Sequence, residues 1–143
     1  MRKLIWLFFF VFLFQGCSYY IPFVICNNTQ HPITISYRMK DGHSYDMMFS
    51  DTPTVQTTSV DGEDVELGTE VKNVHWTSVD GISISIPPGT ALVTGFDSRP
   101  RTTYPSLDYL MIIQGSDTTK LSGAILPSLV RDLDNQVVGL IIK

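Results

Sequence analysis

Ile82-Ser83-Ile84-Ser85-Ile86-Pro87-Pro88-Gly89 decides the fold class, because three isoleucines alternate with two serines before a proline pair and a glycine end the run. A period of two places successive side chains on opposite faces, so this stretch is a half-buried strand with Ile82, Ile84 and Ile86 inward. Proline cannot extend a ladder and glycine accepts turn geometry, so the strand stops at Pro87. Outward along the chain the rhythm recurs: Ile33, Ile35, Tyr37 and Met39 alternate with Thr34, Ser36 and Arg38, and Asp41-Gly42 signals a hairpin exit. Further strand candidates are Phe23–Asn27, Tyr45–Phe49, Val55–Val60, Val71–Thr77, Ala91–Phe96, Tyr109–Gln114 and Val137–Ile142.

Eight or nine short strands at even spacing, with Asp-Gly at 41, 61 and 80 and Gly115-Ser116 between them, predict an all-β domain. The expected architecture is an antiparallel β-sandwich, Ig-like or similar, with a small β-barrel as the alternative. Helix is nearly absent. Ala124–Leu133 is the one stretch able to coil, and Pro127 limits it to a short turn of helix. Val137–Ile142 is apolar on both faces apart from Gly139, as in a strand covered on both sides. Two roles fit it: a core strand of this domain, or a strand that pairs with another chain.

The N-terminus has a different character. Arg2 and Lys3 precede an apolar run from Leu4 to Phe14, followed by Gln15-Gly16-Cys17. A basic start, an apolar stretch of about 7–15 residues and a small residue before the cut describe a secretory signal, here a signal helix over residues 1–16. A spanning anchor needs about 20 apolar residues, and this run of 11 covers about 16 Å as a helix. Ordinary signal cleavage before Cys17 places Phe14 where a small side chain is required. Leu13-Phe14-Gln15-Gly16-Cys17 resembles the lipobox of bacterial lipoproteins. The resemblance implies cleavage between Gly16 and Cys17 and attachment of diacylglycerol to the Cys17 sulfur. It also implies a cell-envelope location, and Ser18, in place of a retaining aspartate, implies the outer rather than the inner membrane.

That reading divides the chain into a signal at 1–16, a lipidated tether at 17–22 and a β domain at 23–143. Removal of residues 1–16 takes Arg2 and Lys3 with it and leaves 127 residues at a formal charge of −6, against −4 for the full chain. A chain of that length buries about two-thirds of its unfolded surface as one domain without staples. The mild acidity, with no Lys/Arg cluster, argues against a nucleic-acid partner. Cys17 and Cys26 are the only cysteines, so lipidation of Cys17 leaves Cys26 as a small buried hydrophobe and rules out a disulfide framework. Only Ser18–Pro22 separate Cys17 from the Phe23 strand, a reach of about 17 Å. The domain is therefore expected against the bilayer, with Tyr19 and Tyr20 at headgroup level.

Signals for chemistry are sparse. His31, His43 and His75 share no local metal-ligand spacing, and the acidic run Asp61–Glu66 lacks the ligand order of an EF-hand, so it is read as a solvated hairpin tip. No G-x-S-x-G surrounds Ser98, Ser106, Ser116 or Ser122, and no phosphate-cradling glycine loop is present. The expectation is a protein without catalytic residues, metal or cofactor. Asn27-Asn28-Thr29 matches a glycosylation sequon and is read as a turn after a strand. Asp97–Ser106 carries two arginines, two prolines and a tyrosine, and Arg99, Arg101 and Tyr104 make it the candidate recognition loop.

The function expected is that of a lipid-anchored envelope protein whose β domain binds or serves a structural role at the membrane surface. It would meet the membrane through its lipid and an envelope protein through its surface, in an oligomeric state the sequence leaves open. The alternatives are a periplasmic inhibitor or immunity-type protein acting through the Arg99–Ser106 loop, and an envelope or fimbrial assembly subunit using Val137–Ile142.

Overall fold

In the computed structural model, the residues described are 19–40, 48–72, 81–99, 107–134 and 137–143; for 19, 72, 98, 99 and 134 only the backbone is described. The strands are β1 (Tyr19–Asn27), β2 (Ile33–Met39), β3 (Thr54–Asp61), β4 (Asp64–Lys72), β5 (Ile82–Ile86), β6 (Thr90–Arg99), β7 (Leu107–Gln114), β8 (Asp117–Leu121), β9 (Arg131–Asp134) and β10 (Val137–Ile142). A four-residue helix, α1 (Leu126–Leu129), carries Pro127 in its first turn, where a missing N–H costs nothing. The strands form a six-stranded sheet in the order β4-β3-β6-β1-β10-β9 and a four-stranded sheet in the order β5-β2-β7-β8.

The isoleucine alternation sets the second sheet as expected. Ile82, Ile84 and Ile86 of β5 pair with Tyr37, Ile35 and Ile33 of β2, and all six are buried. Ser36 and Ser83 meet on the outer face, their hydroxyls 2.7 Å apart. Hairpin tips follow their glycines. Gly62 and Gly115 stand at positive φ as the first central residue of two-residue turns, the geometry whose twist matches paired strands. Gly89 at φ 67° follows Pro88 in the turn from β5 to β6.

Two apolar clusters result. The larger lies between the sheets and includes Phe23, Tyr37, Phe49, Leu110 and the inward isoleucines. The smaller, centred on Val24, Cys26, Val65, Ala91, Leu133 and Val137, draws apolar side chains from all six strands of the first sheet and none from the second. A sheet can only enclose a cluster of its own by curling, and this one does, as a half-barrel. β4 comes round to approach β9, with Arg131 Nη1 donating to Glu63 Oε1 at 3.2 Å across the gap. The expected sandwich is thus the architecture observed, with one of its two sheets curled into a half-barrel.

Several local expectations are corrected. β1 begins at Tyr19, so residues 19–22, assigned to the tether, are already paired with Phe96–Arg99 of β6. The sandwich is not wholly antiparallel: β1 and β10 run parallel, from Phe23↔Val138 to Asn27↔Ile142. Of the two roles open to Val137–Ile142, the core strand is the one observed, with β10 between β1 and β9. Of the acidic run only Gly62-Glu63 form the turn; Asp64 opens β4 and Val65 is buried in the smaller cluster. Of the strand expected at Val71–Thr77, Val71 and Lys72 end β4 and the rest lies outside the described residues.

The strand expected at Tyr45–Phe49 also lies outside them except for Met48 and Phe49, which form a buried bend. Its hydrogen bonds show why: Thr94 Oγ1 donates to Met48 O at 2.6 Å, Ser50 N to Thr94 O at 2.7 Å, and Tyr37 Oη to Ser50 O at 2.6 Å. The segment is pinned across the sandwich rather than laddered along a strand, which lets Phe49 pack at 5.4 Å from Phe23 and 5.1 Å from Tyr37.

Candidate functional site

Most residues singled out for function, Gly16, Cys17, Arg101, Tyr104, His43 and His75, fall outside the described residues. Arg99 is the last residue of β6, with its backbone paired to Tyr19. His31 is exposed in the turn after β1. That turn is built on Asn27, whose buried amide Nδ2 donates to His31 O at 2.9 Å and Ile86 O at 3.0 Å, while its Oδ1 accepts from Thr29 N at 3.1 Å. The sequon asparagine is therefore a structural knot closing the end of β1, its amide consumed by backbone partners.

Asp61, Glu63, Asp64 and Glu66 are exposed, as a solvated tip requires. No three His, Cys, Asp or Glu side chains converge as metal ligands among the described residues. Cys26 is fully buried in the smaller cluster, and burial pushes its thiol up from 9.0 to about 12. A thiol held protonated there is neither a nucleophile nor a metal ligand.

The feature with the geometry of a binding site was not read from the sequence. A cleft of about 420 Å³ opens where the two sheets part, between β8 of the second sheet and β10 of the first. It falls within the range of about 300–1,000 Å³ common for ligand sites. One wall consists of Ile112 and Gln114 of β7 with Asp117, Thr119 and Leu121 of β8. The registers Ile112↔Thr119, Gln114↔Asp117 and Leu110↔Leu121 place these on the same face as core residue Leu110, the inward face of the sheet. Polar residues at inward positions mark the end at which the sheets cease to cover each other. The opposite wall is the Gly139–Ile142 segment of β10, and Leu129, Arg131 and Leu133 close one side.

That wall has a free backbone edge. β9 pairs with β10 only through Val137, Val138 and Gly139, so no described strand covers the outer edge of Leu140–Ile142. Asn28 N donates to Ile142 O at 2.9 Å, which turns Ile142 toward β1. Groups alternate along a strand, so the N–H and C=O of Ile141 point outward into the cleft. Electrostatically the site is balanced: Glu63 and Asp117 against Arg131 and Lys143, with Glu63 and Arg131 engaged with each other. The lining supplies apolar contact and backbone hydrogen-bonding groups.

A second surface adjoins the N-terminus. Tyr20 and Phe96 are 60% and 49% exposed, and the register Tyr20↔Ser98, Pro22↔Phe96 puts both aromatics on one face of the first sheet. Tyr20 lies on the same face of β1 as Val24 and Cys26 of the smaller cluster. No helix among the described residues is long and apolar enough to cross a membrane. No known family model, curated protein or solved structure matches this chain.

Proposed function

We propose that the protein is a lipid-anchored cell-envelope protein, held by diacylglycerol on Cys17, whose β domain binds a partner at the membrane surface without catalysing a reaction. The observation that carries this reading is the start of β1. Tyr19 is already paired with Arg99, so Ser18 alone, two residue steps or about 7 Å of extended chain, links Cys17 to the sheet. A lipid at Cys17 would hold that end of the sandwich at the bilayer, where the exposed Tyr20 is of the residue type that favours the headgroup region and the exposed Phe96 adds an apolar ring. The apolar run Leu4–Phe14 and the Gly16-Cys17 pair supply the signal for that modification. Among envelope roles, binding is better supported than strand donation, since β10 is committed to β1 along five residue pairs.

The test is metabolic labelling with a clickable fatty acid. The wild-type chain is expected in the membrane fraction carrying label, and Cys17→Ser is expected to lose the label and retain its signal. Equal labelling of the two would overturn the reading. A flexible spacer of about 20 residues inserted after Ser18, reaching about 25 Å, is expected to leave labelling intact and to abolish co-purification of envelope partners; unchanged partners would remove the surface-proximal part of the proposal.

A further inference from the structure

We propose that the cleft between β8 and β10 takes an extended, uncharged peptide segment of a partner protein, added as a strand to the free edge of β10. The N–H and C=O of Ile141 face the cleft with no described strand opposite them. Such groups are strong, obligatory hydrogen-bonding groups, and an extended backbone is the ligand whose own groups repeat at matching spacing. Leu140–Lys143 offers about 13 Å of edge. Beneath it lie Ile112, Leu121 and Leu140, which suit the inward side chains of a strand whose alternate residues are apolar.

Charge narrows the class further. Two acidic and two basic side chains line the site and one of each is already paired, so no field favours an anion such as a lipid phosphate or a strongly basic peptide. Gln114 and Thr119 at the rim are neutral hydrogen-bonding groups suited to Ser, Thr or Asn side chains of the incoming segment. β9 shows how the edge is used where it is covered: Arg131↔Gly139 is an antiparallel pairing that ends where the cleft begins. A bound segment continues that ladder by one further strand length. The inference needs no lipid and stands independently of Cys17.

The probe is a seven-residue peptide of alternating Thr and Val, compared with the same peptide N-methylated at every second residue. Amide exchange at Ile141 is followed in the full-length protein in detergent micelles. The unmodified peptide is expected to slow exchange at Ile141 about tenfold when saturating, and the N-methylated one, with no less apolar surface but unable to ladder, to leave it unchanged. Thr119→Trp, which fills the cleft, is expected to abolish the effect; Thr118→Trp, on the opposite face of β8, is expected to preserve it. Equal protection by both peptides would mean simple apolar sequestration and would overturn strand addition. Absence of protection at about 1 mM peptide, a concentration that captures even weak binding, would overturn the site. Concentration-dependent protection without peptide, together with a dimer in sedimentation, would identify the occupant as a second copy and overturn the partner-peptide assignment.

Discussion

Phe23 and Val24 are neighbours in β1 and neither has measurable exposure, yet they enter cores of different construction. Phe23 turns into the space between the sheets, where aromatic rings and isoleucines fill a gap of about 10 Å, the usual face-to-face separation. Val24 turns into the curl of the first sheet, where Val, Ala, Cys and Leu suffice because the strands close on one another. The difference lies in side-chain size, not polarity. Both faces of β1 read as apolar, and only the volume of each residue tells which face looks across a sandwich and which looks into a bend.

The contrast can be broken first on its large side. Phe49→Ala removes the ring that joins Phe23 to Tyr37 and is expected to cost about 3–5 kcal/mol in urea unfolding, whereas Val24→Ala in the curl is expected to cost about 2 kcal/mol or less. Equal losses would show that the curl carries as much of the stability as the sandwich.

The curled side is expected to be less tolerant of addition. A Cβ built on Gly139 would lie 1.8 Å from Val24 O, a backbone atom that no rotamer can move away. Gly139→Ala is expected to destabilise by about 3 kcal/mol, at the upper end of ordinary overpacking. A loss below about 0.5 kcal/mol, the scale of a neutral surface substitution, would mean that β1 and β10 do not approach as closely as described.

The smallest effect sharpens the comparison through titration. Burial pushes the Cys26 thiol up to about 12 from 9.0, so below pH 9 the thiol is protonated in both folded and unfolded chains and contributes no pH dependence. Between those values the unfolded chain releases a proton that the folded chain keeps, so stability falls as pH rises, by about 1.4 kcal/mol per pH unit for this one group. Urea midpoints of wild type and Cys26→Ala are expected to converge from about pH 7 to about pH 10, the alanine variant lacking this one component of the fall. Parallel curves would show that the smaller core admits water.

Much of the fold was legible. Ile82–Ile86 and Ile33–Met39 alternate cleanly because each has one wet face, and the turn glycines at 62, 89 and 115 follow from backbone sterics alone. β8 was missed because Asp117-Thr118-Thr119-Lys120-Leu121 is an edge strand at the open end of the sandwich, so two of its three inner positions, Asp117 and Thr119, are polar and the period disappears. β9 was hidden in the stretch read around Pro127, where a single buried residue, Leu133, gives no rhythm. The parallel partnership of β1 with β10 is a choice among strands far apart in sequence, which local pattern does not encode. The cleft went unread for the same reasons, since its walls are β8 and the uncovered part of β10.

That partnership has a further meaning for a chain made from its N-terminus onward. β1 is the first described strand and sits at the middle of its sheet, with β6 on one side and β10 on the other. Until residues 137–142 have emerged, Val24 and Cys26 lack their neighbours and Phe23 faces a half-built layer. Completion of this part of the sheet therefore waits for residues 137–142, since contacts of such long sequence separation form slowly. β10 is the strand that closes this side of β1, and a nascent chain stopped short of Val137 leaves that edge of the central strand open.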